Sequence, residues 1–354
     1  EAPPAPDGVV EHGVLHRLGP GLLADIGRWC AANAPDVLHL QYQAGAYDLR
    51  GWACFLPRWL ARAPSRRRAR SPRAGQWPVT AFTYHDLKPP YLFPKAGRLR
   101  DVVLRDPMRT ADLIVTTNPA DSAAAGATAG QHAEIPIGSN LIAEAGPDPS
   151  PRPPGRRRIV TFGLSNASKG LLGLLDAVVS LRSAGRNIEL VIVGGSPGAS
   201  DPLDRRHHSA LEARIAEAGL GPWVGWAGHV PEAEAGAWLA SADVAVQPYV
   251  DGASLRRGSL MAVWHYGAPV VASAPAAGAM PTECVQAMVT APPGDAAALA
   301  AAIGKVLDDA GLAASLREAS RRAAARFEWR AIADAHRAAY RAAGSPEPGG
   351  PARQ

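Results

Sequence analysis

The chain has 354 residues, which suits two domains of roughly 150–200 residues, each large enough to fold without disulfides or metals. Its 19% charged and 47% hydrophobic residues exclude an acidic disordered chain, and its 36 glycines and 33 prolines follow no three-residue period, which excludes collagen. The balance of 37 basic and 32 acidic residues leaves +5, concentrated in two arginine-rich segments.

In chain order, Asp36–Gln41, Pro78–Thr83 and Asp112–Thr116 read as strands, with helical spacing between them around Trp52–Leu60 and Leu99–Arg109. Short apolar strands alternating with helices predict a parallel sheet covered on both faces. Within this half, Ser65–Arg73 carries Arg66, Arg67, Arg68, Arg70 and Arg73. Two readings stand: a solvated loop, or an electrostatic foot on anionic lipid. Nucleic acid is disfavoured, because no RNA-binding signature, helix-turn-helix or zinc finger accompanies the arginines. The proline-rich run from Ala143 to Gly155 breaks the alternation and predicts an extended interdomain linker.

The second half repeats the alternation, with strands expected at Arg158–Phe162, Ile188–Val193, Trp223–Ala227, Asp243–Gln247 and Pro269–Ser273. Helices are expected at Ser168–Ala184, Arg206–Ala218, Glu232–Ala240, Ser259–Tyr266, Asp295–Leu307 and Leu312–Ala325. A last helix should start near Trp329 and end at Gly344, ahead of a disordered Pro/Gly-rich tail. The expected divisions are 1–142, a linker at 143–157, 158–326, a C-terminal helix at 327–343 packing back on the first domain, and the tail 344–354. Two doubly wound α/β domains place ligands beyond the carboxyl ends of the strands, with the cleft between domains as the default site.

Cys30, Cys54 and Cys284 form no CxxC, so neither a disulfide framework nor a zinc knuckle is encoded, and a reducing cytoplasm fits best. No apolar run nears the roughly 18 residues of a membrane span, and no signal segment is visible. The first residue is Glu1 rather than methionine, which fits a fragment of a longer chain. GxSxG, HExxH, Walker A and DxD patterns are all absent. His12 and His16 have i, i+4 spacing without an intervening glutamate and read as surface histidines. Gly194-Gly195-Ser196-Pro197-Gly198 is a loop that lets a ligand approach the backbone, without GxGxxG spacing.

The informative stretch is Gln247 to Leu260, which leaves a strand, passes Gly252, Arg256, Arg257 and Gly258, and enters a helix capped at Gly258 or Ser259. Helix N–H groups beside paired guanidiniums make a diphosphate the natural guest. A second basic element, Phe162 to Gly170, sets Gly163 at a strand end and Lys169 in an early helical turn, where a cation is tolerable if it meets a bound anion. In the first half, Thr83 to Lys88 follows a strand and directs His85 towards the cleft.

In this order, these elements resemble the GT-B glycosyltransferases of family GT4, a retaining, nucleotide-sugar-dependent group, from about Pro35 to Tyr340. The resemblance rests on Phe162-Gly163 with Ser168-Lys169-Gly170, Leu190 to Gly195, Ala242 to Pro248, Gly267 to Ser273, Pro292 to Asp295, and Phe327-Glu328-Trp329. It implies two Rossmann-like domains facing across a cleft, the first lacking its initial strand and Gly-rich loop. His85 matches the family's active-site histidine and Lys169 its donor-phosphate lysine. The family's arginine after the first strand glycine is replaced by Leu164 or Ser165, and its E-x7-E pair by Ser254 and Ala262. The segment instead resembles a subgroup carrying D-G-x-S-x-R-R-G-S, in which Arg256 or Arg257 supplies the phosphate contact.

The resemblance implies a metal-independent enzyme that moves a sugar from a nucleoside diphosphate-sugar to an acceptor hydroxyl with retention. His85, Lys169, Arg256 and Arg257 are the expected catalytic residues. Gly163, Asn166, Lys169, Gly195, Asp251, Ser254, Arg256, Arg257, Gly258 and Ser259 are the expected donor-binding set. No cofactor is expected beyond the nucleotide-sugar co-substrate. The expected partners are that donor, a glycan, lipid-linked or small-molecule acceptor, and an anionic membrane surface touched from the cytoplasmic side. The alternatives are a non-catalytic sugar-nucleotide or glycan binder, motivated by the lost glutamates, and a GT-B nucleotide-sugar epimerase.

Overall fold

A computed structural model describes residues 9–10, 12, 18–47, 50–62, 78–87, 97–128, 130–195 and 202–344. The arginine-rich segment Ser65–Arg73, His16, Lys88, Ser196–Gly198 and the tail from residue 345 lie outside the described residues. The chain divides into two compact units, one made of residues 1–135 and 333–354, the other of Pro136–Ile332.

The first unit holds a parallel sheet of β1 (Val37–Tyr42), β2 (Val79–Tyr84), β3 (Leu113–Thr116) and β4 (Gln131–Glu134), in that spatial order. β2 and β3 are buried along almost their whole length, as central parallel strands require. Leu40, Tyr42, Phe82, Tyr84 and Ile114 share one core with Leu22, Leu56 and Leu60 from the flanking helices. β4, Gln-His-Ala-Glu, is a mostly exposed edge strand without apolar alternation, and nothing in its sequence predicts a strand. It forms because β3 offers it a ladder. The helix Pro119–Ala125 has a local start signal: Pro119 at its first position and an Asn118 side chain accepting from the Asp121 N–H at 2.9 Å.

The second unit is a six-stranded parallel sheet in the order β10-β9-β8-β5-β6-β7. Its strands are β5 (Arg157–Phe162), β6 (Ile188–Val193), β7 (Val224–Gly228), β8 (Val244–Gln247), β9 (Val270–Ser273) and β10 (Val289–Ala291). Both faces are covered: Val160 joins the layer of Leu260 and Trp264, whereas Ile159 joins that of Leu174 and Ile303. The chain winds outward from β5 through β6 and β7, then returns to the other side of β5 with β8 and continues to β9 and β10. β5 and β8 therefore flank a point of reversal, and the loops leaving their carboxyl ends emerge side by side.

Two expected boundaries shift. The helix expected from Ser168 starts at Leu171, preceded by a single 3-10 turn at Ala167–Lys169 and a left-handed Gly170. Gly170 has φ of +66°, and a Cβ there would lie 1.9 Å from the Pro248 carbonyl oxygen, so close approach to the loop after β8 breaks the helix. Lys169 is consequently not in a first helical turn. The other helix runs Gly258–His265, with Arg257 rather than Gly258 or Ser259 in the capping position.

The proline-rich stretch expected as an extended interdomain linker packs on the second unit. Gly146 N–H donates to Ala233 O at 2.9 Å, Tyr266 OH to Ala143 O at 2.8 Å, and Arg152 pairs with Asp243. Arg158, 1% exposed, donates to Glu189 Oε1 and Asp148 Oδ1 at 2.7 Å each and to Ser150 O at 2.5 Å, with its guanidinium over the Trp238 ring. A buried arginine satisfied on every side holds the segment without any helix or strand. Removing it leaves Glu189 without its closest partner. Arg158→Met should lower the unfolding free energy by about 3–5 kcal/mol, read as a fall in urea midpoint, and should speed amide exchange around Asp148–Ser150.

Candidate functional site

The loops after β5 and β8 bring together residues far apart in sequence. From the first come Ser168 and Lys169, and from the second Tyr249, Asp251, Arg257 and Ser259. Lys169 Nζ donates to Ser259 Oγ at 2.8 Å, and Tyr249 OH lies 2.7 Å from the same oxygen. Lys169 Nζ sits 5.1 Å and Arg257 Cζ 4.9 Å from the centroid of the Tyr249 ring. Arg257 pairs with Asp251 and donates to Ser168 Oγ at 3.1 Å; Ser168 in turn donates to Asn166 Oδ1 at 2.7 Å. Val250 N–H reaches Ser168 O at 3.2 Å, tying the loops by backbone as well.

Gly163 explains how the lysine fits. Its φ is +129°, and a Cβ there would lie 2.8 Å from Lys169 Nζ and 3.5 Å from Ser259 Cβ. The missing side chain is the space the ammonium occupies. Burial, and then the nearby Arg257 charge, lower the Lys169 midpoint from 10.5 to about 8. Arg257 caps the helix Gly258–His265 without a side-chain hydrogen bond, so the first N–H groups of that helix are not consumed by a capping side chain. A half-buried ammonium, a guanidinium and a helix start converge, which is an environment that favours an anion.

Of the expected donor-binding set, Gly163, Lys169, Asp251, Arg257, Gly258 and Ser259 lie in or beside this cluster, and Asn166 supports it through Ser168. Ser254 is a loop residue whose carbonyl accepts from Arg257 N–H at 3.1 Å. Gly195 sits at the end of β6, where its carbonyl accepts from Ser165 N–H at 3.3 Å. Arg256 is half-buried, and the contacts to Tyr249 and Ser168 come from Arg257. Tyr249 and Ser168 belong to the site although the sequence motifs do not mark them as candidates; the signal for Tyr249 is an aromatic directly after the buried strand end Gln247-Pro248.

His85 lies in the first unit, just past β2, with its backbone N–H on Tyr42 O at 3.2 Å. Gln41 Oε1 is 2.8 Å from His85 Nε2, and because an amide oxygen only accepts, Nε2 carries the proton. Burial, and then the His336 charge, hold the His85 midpoint below its ordinary value. Its neighbour His39 contacts Tyr340 OH at 2.6 Å and Thr83 Oγ1 at 2.7 Å, and burial pushes it down to about 4. Both imidazoles are neutral near pH 7. Among the described residues no three His, Cys, Asp or Glu side chains are placed to hold a metal ion.

Another concavity of the second unit, about 380 Å³, is lined by Ser150, Glu189, Trp223, Trp226 and Trp238. Its carboxylate is engaged by Arg158, and guanidiniums lie over the Trp223 and Trp238 rings.

The same architecture occurs in known enzymes. The chain is similar in structure to sucrose-phosphate synthase from Thermosynechococcus elongatus, with TM-score 0.67 and 22% identity over 91% of this chain and 77% of that one. It is similar to HepE from Anabaena, solved with UDP, with TM-score 0.65 and 16% identity over 90% and 80%. It is also similar to the UDP-forming trehalose-phosphate synthase from Burkholderia xenovorans, solved with glucose-6-phosphate, with TM-score 0.57 and 15% identity over 86% and 79%. These likenesses show the fold, which is GT-B. Residues 156–309, within the second unit, match the family model for glycosyl transferases group 1. No curated protein sequence matches the chain.

An anion at this site favours the charged lysine. Ligand-free, Lys169 loses its proton near pH 8, below the unfolded lysine range, so between about 8 and 10.5 the unfolded chain binds more protons and stability rises with pH. Anion binding opposes that loss and takes up a proton. Pyrophosphate should therefore bind more tightly as pH falls through about 8. Calorimetry at pH 8 in two buffers of different ionisation enthalpy should show proton uptake that Lys169→Met abolishes.

Proposed function

We propose that the chain transfers a glycosyl group from a nucleoside diphosphate-sugar to an acceptor hydroxyl, with retention and without a metal ion. The observation that carries this is the convergence of Lys169 and Arg257 on the start of the helix Gly258–His265, at the point of reversal of a sheet in a glycosyltransferase domain. When the sugar–phosphate bond breaks, charge accumulates on the leaving diphosphate. Fixed cations and N–H groups aimed at that charge stabilise the transition state without reorganising. They do what a divalent ion does in other transferases. Retention is supported by the sequence resemblance. HepE is solved with UDP and with UDP-glucose, which makes uridine donors the first to test here.

A second reading has an observation of its own. Ala262, buried in the core, and Ser254 stand where the resemblance expects two glutamates that hold ribose and sugar. That favours a sugar-nucleotide binder without turnover. The two readings separate by experiment: both expect binding, and only the first expects transfer of labelled sugar to an added acceptor.

Among UDP, GDP and ADP, at least one should raise the melting temperature without added metal, and EDTA should leave the shift unchanged. A shift seen only with magnesium or manganese would refute the metal-free mechanism. Arg257→Ala should weaken that nucleotide by about 1.5–3 kcal/mol, the worth of a charge-assisted contact, with the fold intact. His85→Ala should lower turnover and leave nucleotide affinity as it is.

The acceptor side rests on sequence. No helix among the described residues is long and apolar enough to cross a membrane. Arg66, Arg67, Arg68, Arg70 and Arg73 support reversible contact with anionic lipid and hence a lipid-linked acceptor. Sedimentation with anionic vesicles should decline steeply with salt, as the Debye length shrinks from about 10 Å at 0.1 M to about 3 Å at 1 M. Changing the five arginines to serine should abolish it.

A further inference from the structure

Ser259 Oγ is the meeting point of the anion site, and its hydrogen-bond capacity is countable. A hydroxyl oxygen has two lone pairs and one proton. Lys169 Nζ, which as an ammonium only donates, takes one lone pair at 2.8 Å. The Tyr249 hydroxyl, 2.7 Å away, belongs to a residue that is 0% exposed. If Ser259 donated to it, the tyrosine proton would be buried without an acceptor, and a buried unsatisfied donor is costly. Tyr249 therefore donates, the second lone pair is filled, and the serine proton is left for a third partner. Ser259 is also the second residue of the helix Gly258–His265, so its backbone N–H is one of the helix's unbonded first-turn donors.

The Tyr249 ring does a second job. Lys169 Nζ and Arg257 Cζ lie 5.1 and 4.9 Å from its centroid, within range of attraction between a cation and a π-face. Asp251 pairs with Arg257, while the contacts of Lys169 are Ser259 and the tyrosine ring. An aromatic face favours both charges without neutralising either. A carboxylate facing Lys169 would neutralise it and repel a diphosphate.

We propose that Tyr249 is the positioning residue of this site: its hydroxyl turns the Ser259 proton towards a diphosphate oxygen, and its ring attracts Lys169 and Arg257 without adding a negative charge to the site. The proposal rests on the reading of the site as a diphosphate cradle, which it deepens by naming the residue that orders it.

The test uses two variants of the full chain and two readouts. Tyr249→Phe keeps the ring and removes the hydroxyl; Tyr249→Leu removes both. Lysine ε-carbon labelling puts NMR signals on only Lys88, Lys95, Lys169 and Lys305, so the Lys169 titration is followed directly in ligand-free protein. Tyr249→Leu should lower the Lys169 midpoint, because the charged form loses its π-face, whereas Tyr249→Phe should leave it near the wild-type value. Tyr249→Phe should weaken UDP by about 5- to 10-fold, the worth of one neutral hydrogen bond, and Ser259→Ala should cost less in that background than in wild type. An unmoved Lys169 midpoint in Tyr249→Leu would overturn the role of the ring. Wild-type UDP affinity in Tyr249→Phe, or additive losses with Ser259→Ala, would overturn the role of the hydroxyl. Failure of the wild-type protein to bind UDP, GDP or ADP would overturn the diphosphate reading and the serine assignment, while the ligand-free titration still decides whether the ring holds the cations.

Discussion

Everything distinctive about the second unit depends on keeping two mutually repelling cations close together in a half-buried place. Lys169 and Arg257 come from different loops, and nothing in either loop alone would hold them adjacent. The Tyr249 ring, the Ser259 hydroxyl and the missing side chain of Gly163 make the arrangement possible. Its cost is visible in the lysine, whose proton is held far less tightly than an exposed ammonium holds its own. Such a strained charge distribution is characteristic of sites built to receive a ligand, because the ligand relieves it.

The sheet topology explains why the loops meet. β5 and β8 are neighbours although more than eighty residues separate them, and both point their carboxyl ends the same way. The chain leaves β5 in one direction and returns to its other side, so the two following loops emerge side by side above adjacent strands. Gly170 lets the first loop touch the second at Pro248, and Val250 N–H closes the contact onto Ser168. One steric requirement at a glycine thus shortens a helix and places a catalytic candidate outside it.

The first unit follows a different electrostatic principle. His39 and His85 are half-buried beside hydroxyls and an amide, and desolvation, with the nearby His336 charge, lowers the midpoints of both. A neutral imidazole with its Nε2 proton fixed by Gln41 suits hydrogen bonding to a sugar hydroxyl better than attraction of a phosphate. The candidate residues of the two units thus differ in kind, cationic in the second and lowered-midpoint imidazoles in the first.

The alternation of apolar strands with helices was legible from the sequence, because parallel strands buried on both faces are continuous apolar runs whatever surrounds them. Gly163, Lys169, Arg257 and Ser259 were legible as candidates because they sit between a strand and a helix, where a doubly wound sheet exposes its loops. Three things were not legible. The polar edge strand Gln131–Glu134 exists only because β3 offers it a ladder. The anchoring of the proline-rich stretch by Arg158 depends on partners at Glu189, Ser241 and Trp238, distant in sequence. The choice of Arg257 for the contacts to Tyr249 and Ser168, and the part played by Tyr249, depend on which side of a loop faces the neighbouring strand. Local sequence determines where strands, helices and chemically able loops occur, since those follow from near-neighbour patterns of burial and backbone freedom. Tertiary structure decides which able residues meet, since that is set by strand order, and strand order is a property of contacts distant in sequence.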